Sequence, residues 1–85
     1  MTKIYVNKYS QLWDHTLARI ENAKNKCTKN GNLDYEKFKN QMITRLIRIK
    51  HIEKTQYAIE ALIALGYQEI AEIYDSKLTL DLLSE

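Results

Sequence analysis

Lys37, Gln41, Thr44, Arg48, His51 and Thr55 recur at steps of 4, 3, 4, 3 and 4 residues, so on a helix they form one polar stripe. Arg45 borders that stripe, and His15, Arg19, Asn22 and Lys26 repeat the pattern upstream at steps of 4, 3 and 4. Guanidinium and ammonium groups neutralise phosphates, and Gln, Thr and Asn donate to phosphate oxygens. A helix presenting them in line can therefore follow a nucleic-acid backbone. The competing reading is the solvated back of an amphipathic helix, which needs polar residues at the same positions. Aromatic residues do not interleave with the bases, so the pattern is not that of a stacking platform for single strands.

Other chemistries find less support. Glu69, Glu72 and Asp75 stand at i, i+3 and i+6, an acidic patch suited to a basic protein partner. The spacing is not that of a calcium loop, and no metal or cofactor is expected. Cys27 falls on an apolar stripe and reads as a small core residue. A Cys-His nucleophile would need His15 or His51 within reach, and both belong to polar faces. There is no Gly-rich phosphate loop or His-Glu-x-x-His pair, so the chain reads as non-enzymatic. A helix-turn-helix would have to use the turn at Gly66. The segment that follows carries Glu69, Glu72 and Asp75, which would repel the phosphates a recognition helix must approach.

These residues need helices to position them. The chain has 85 residues, no proline, two glycines and 45% hydrophobic residues, a balance that points to a single small all-α domain. A domain this size buries only about 60% of its unfolded surface. Tyr5, Tyr9, Leu12, Trp13, Thr16, Leu17, Ile20, Ala23 and Cys27 recur at helical steps, which predicts a first helix over residues 8–28 with Asn7 as its cap. The opening, Thr2 to Val6, reads as a short strand, an arm or an earlier helix start. Lys29-Asn30-Gly31-Asn32 should reverse the chain. Asp34 then caps a second helix that meets no Gly or Pro before Gly66. About 31 residues of helix make a rod of ~46 Å.

The apolar face of this rod changes direction. Tyr35, Phe38, Met42, Leu46 and Ile49 form the first stripe, while Ile59, Leu62, Ile63 and Leu65 lie on another side. Two covers are implied: helix 1 for the first, and for the second a terminal segment with Ile70, Ala71, Ile73, Tyr74, Leu78, Leu80, Leu82 and Leu83. That segment reads as a helix over residues 68–76 and a short turn over 79–84. The expected architecture is thus a helical hairpin with one long central helix closed by a C-terminal helix, a three- to four-helix bundle. Ile43 and Ile47 widen the first stripe and suggest self-association as a homodimer. Tyr5, Tyr9, Trp13, Tyr35 and Phe38 are expected to cluster, and an exposed part of that cluster would suit a protein partner.

Charge is distributed unevenly. Residues 1–55 carry twelve Lys/Arg and five Asp/Glu (+7), and residues 56–85 carry one and six (−5). Such polarity suits a polyanion at one end, a basic partner at the other, or head-to-tail pairing of copies. The longest apolar run, Ala61 to Leu65, is far short of the ~20 residues of a membrane span. A lone cysteine and a charged opening suggest a cytoplasmic protein. Two functions follow as expectations: an interaction protein that binds and regulates or inhibits a protein partner, and a nucleic-acid-binding regulator using the basic stripe.

Overall fold

The computed structural model describes residues 5–84. The expectation of a strand or arm over Thr2 to Val6 falls mostly on residues outside that range. The elements are α1 (Gln11–Lys26), β1 (Thr28–Lys29), β2 (Asn32–Leu33), α2 (Tyr35–Arg48), α3 (Ile52–Ala64) and α4 (Gln68–Leu83). The fold is a small all-α bundle with a two-residue antiparallel ribbon at one corner.

Helix α1 starts three residues later than its periodicity suggests. Ser10, not Asn7, is the cap: its Oγ accepts from the Trp13 N–H at 3.2 Å. Asn7 instead folds the turn ahead of the helix, its carbonyl accepting from the Ser10 N–H and Oγ and its Oδ1 from the Tyr9 N–H. The expected reversal is a two-residue β-turn in which Asn30 (φ 53°) and Gly31 (φ 80°) both take positive φ, the signature of a type I′ hairpin. It pairs Thr28 with Leu33 and Lys29 with Asn32. The Asp34 N–H donates to the Cys27 carbonyl at 2.8 Å, and Asp34 Oδ1 accepts from the Lys37 N–H. Asp34 therefore caps α2 and ties it to the end of α1.

The long central rod does not exist. Ile49 (φ −75°, ψ 124°) and His51 (φ −118°, ψ 126°) are extended, and the chain bends between α2 and α3. The cause is burial, not a breaker residue. In a straight helix at 100° per residue, the Phe38–Met42–Leu46 stripe and the Thr55–Ile59–Leu62 stripe would point about 130° apart. One compact core cannot cover both, and in a chain this small the apolar area left in water would outweigh the few helical hydrogen bonds lost at a bend. The β-branched Ile47, Ile49 and Ile52 make the bend cheap. Arg45 and Arg48 in the last turn of α2 and Glu53 in the first turn of α3 suit the helix ends so created.

Freed from the rod, α3 becomes the central helix, with Thr55, Gln56, Tyr57, Ala58, Ile59, Ala61 and Leu62 buried. Both α1 and α4 pack on it, and α4 also packs on α2. The pairs Phe38 with Tyr67 (ring centroids 4.9 Å apart) and Met42 with Tyr74 show α2 and α4 running in the same direction. The expected Gly66 stop is present: φ is +89°, the Gly66 N–H donates to the Ile63 carbonyl, and the Tyr67 N–H donates to the Leu62 carbonyl. These two bonds define a Schellman cap. The terminal segment is one continuous helix, α4, instead of the two pieces expected over residues 68–76 and 79–84.

The core contains Trp13, Ile20, Ala23, Cys27, Phe38, Met42, Leu46, Ile70, Ala71, Tyr74 and Leu78 along with the α3 residues. Tyr5 (81%) and Tyr9 (98%) are exposed, Trp13 lies at the start of α1 whereas Tyr35 and Phe38 begin α2 beside its end, and Phe38 pairs with Tyr67 instead, so the expected five-residue aromatic cluster does not form. Starting α1 at Gln11 removes both tyrosines from its apolar stripe. Ile63, Leu80 and Leu83 are also exposed; the turn at Gly66 and the end of α4 leave them beyond the packed faces. Among the described residues no helix is long and apolar enough to cross a membrane.

Candidate nucleic-acid interface

The bend between α2 and α3 opens a cleft of about 590 Å³ against α1. Basic groups from three helices rim it, and Lys50, His51 and Lys54 also line an adjoining recess that holds Glu53 and Asp81. Helix α1 contributes Arg19 and Lys26, α2 contributes Gln41, Thr44, Arg45 and Arg48, the connecting residues contribute Lys50 and His51, and α3 contributes Lys54. The floor is apolar, formed by Leu12, Ile20, Met42, Ile49 and Ala58, with Thr16 and the buried Tyr74. No carboxylate lines the cleft. Among the described residues the ion pairs are Lys39 with Glu69 and Lys77 with Asp81, so none of the six Lys/Arg around the cleft is in a direct ion pair. Like charges converging on a concave, low-dielectric surface focus their field outward and raise the local concentration of anions.

Most of the expected stripe is here, rearranged. Arg19 and Lys26 from one row and Gln41, Thr44, Arg45, Arg48 and His51 from the other face the same space. Lys37, His15 and Asn22 are exposed but do not line it. Thr55 departs from the expectation altogether: it is 1% exposed, and its Oγ1 donates to the His51 carbonyl. The bend turns its side of the helix into the core. Lys50 and Lys54, which the stripe omitted, complete the rim. On a straight helix they would stand about 160° and about 120° from Arg48 at 100° per residue, and only the bend swings them to the cleft. The run Arg45, Arg48, Lys50, Lys54 was the available signal.

Tyr74 anchors the floor. It is fully buried, and its hydroxyl donates to the Met42 carbonyl. Loss of hydration pushes its pKa well above the ordinary tyrosine value, and the nearby Arg45 charge opposes that shift without cancelling it. The phenol therefore stays neutral, and Arg45 has no anionic partner in it at neutral pH.

The acidic patch is split by the fold. Glu69, Glu72 and Asp75 are exposed on α4, but Glu69 Oε1 lies 2.6 Å from Lys39 Nζ. That hydrogen bond and charge raise the Lys39 pKa. Burial first, then Glu69, raises that of Tyr35. Of the two isoleucines expected to mediate self-association, Ile47 is 74% exposed whereas Ile43 is half-buried in its own chain. Cys27 is free and buried, as its place on the stripe implied. No group of three or more potential metal ligands is found among the described residues. No family model, curated protein or solved structure matches this chain.

Proposed function

We propose that this chain is a small non-enzymatic binding protein that holds a nucleic-acid backbone in the basic cleft and regulates by occupancy. One observation carries the reading: six Lys/Arg from three helices and a bend converge on one concave surface that contains no carboxylate. A solvated helix face would intersperse both signs. The buried free thiol of Cys27 suits the reducing cytoplasm that this reading assumes.

The test is a mobility shift with labelled nucleic acid across salt concentrations. On single strands each neutralised phosphate contributes about −0.7 to the slope of log affinity against log salt, so engagement of all six cations gives a slope of about −4. Replacing Arg45 and Arg48 by Ala should flatten it to about −3. Absence of any shift at low salt would reject the reading.

A protein partner is the second reading, and exposed Ile47 beside Arg48 favours it. In its simplest form the partner is a second copy. Light scattering at high micromolar concentration should then show a dimer that Ile47→Ser dissociates, and a monomer at that concentration removes it.

A further inference from the structure

We infer that the cleft seats one unstacked nucleotide of a single strand, its base and sugar against the apolar floor and its flanking phosphates on the basic rim. This rests on the nucleic-acid reading and specifies its ligand. Three features point to it. The volume, about 590 Å³, lies within the ~300–1,000 Å³ typical of sites that enclose a small organic ligand. A surface that only tracks phosphates needs no such recess. The floor is apolar where the rim is cationic, so the occupant that matches it has an apolar planar body flanked by negative charge. A duplex offers phosphates on a convex ridge and keeps its bases stacked inside, which would leave Leu12 and Ile49 facing water.

The floor also sets how the base is held. Tyr74 is its single aromatic residue and is fully buried with its hydroxyl occupied. The base is therefore held by aliphatic contact with the half-buried Leu12 and Ile49 and not between rings. Aliphatic contact does not read hydrogen-bonding edges, so sequence preference is weak.

Fluorescence anisotropy with a labelled ten-nucleotide oligothymidylate tests this on the intact protein. The competitors are unlabelled oligothymidylate, an abasic oligomer with the same number of phosphates, and the oligothymidylate annealed to its complement. The abasic strand should compete about tenfold less well, the effect of removing on the order of 50 Å² of apolar burial. The duplex should also compete less well than the free strand. Ile49→Ser, a half-buried floor position, should erase the difference between thymidylate and abasic strands while keeping the helical circular dichroism. Equal competition by the abasic oligomer or by the duplex overturns the inference and leaves the backbone-binding reading standing. Failure of every ligand to bind at low salt overturns both.

Discussion

Replacing Tyr74 by Phe separates two consequences of burying a phenol. Tyr74 is fully buried, and its hydroxyl donates across the bundle to the Met42 carbonyl. Phe keeps the ring and its packing, and the Met42 carbonyl, inside α2, still accepts from the helical ladder. The loss at pH 7 is then the net worth of one hydrogen bond, about 1 kcal/mol. Alkaline pH reverses the order. Burial raises the native pKa above the ordinary value of 10.0, so stability from the neutral phenol is fully present below pH 10 and is lost as pH climbs toward the raised native value. Above pH 10 the unfolded chain releases this proton while the native chain retains it, and wild-type stability falls by about 1.4 kcal/mol per pH unit. At pH 11.5 the accumulated loss is about 2 kcal/mol. The Phe variant lacks this term, so the two stability curves should cross near pH 11 by this arithmetic. Urea unfolding followed by the single tryptophan, the buried Trp13, at steps from pH 7 to 11.5 measures both. Other tyrosines and lysines titrate equally in the two proteins and cancel in the difference. Parallel curves across the whole range would show that Tyr74 titrates alike folded and unfolded, and would refute its burial at the floor of the cleft.

Three other perturbations address the elements that shape the cleft. Gly66→Ala places a side chain at φ +89° with open space around it, so the cost is backbone strain alone, about 1–2 kcal/mol. The melting temperature should fall by roughly 4–8 °C per kcal/mol in a domain this size. His51 begins α3 without a side-chain cap, so His51→Asn should raise stability by about 0.5–1 kcal/mol in chemical denaturation. Unchanged stability would show that the first turn of α3 is already satisfied by water. Lys39→Ala should leave urea unfolding at pH 7 unchanged within error, because the Lys39–Glu69 pair is open to solvent and screened. A clear loss would reveal that the pair clamps α2 to α4.

Several parts of this architecture are legible residue by residue. Asn30-Gly31 reverses the chain and Asp34 caps α2 because only local backbone geometry and one side-chain acceptor are involved. Gly66 ends α3 for the same reason. The buried faces of α1 and α2 follow the 3.6-residue period, since each helix has a single apolar side. Asn7 and Ser10 show the limit of such reasoning: both are good caps, and the choice turned on which hydroxyl or amide met the Trp13 N–H once the preceding turn had closed.

Residue types and their spacing alone carry the all-α class, the two glycine turns, the cap at Asp34, the excess of positive charge before residue 56 and the buried faces of α1 and α2. Tertiary structure decided the break at Ile49 to His51 and, with it, the site. Local propensity has no strong opinion there, because no proline or glycine interrupts the helix. What rules out the straight rod is the free energy of burying two differently directed apolar stripes in one core, a quantity set by α1 and α4 and not by the residues that bend. That bend buries Thr55, carries Lys50 and Lys54 to the rim, and turns a row of charges on a rod into a cleft.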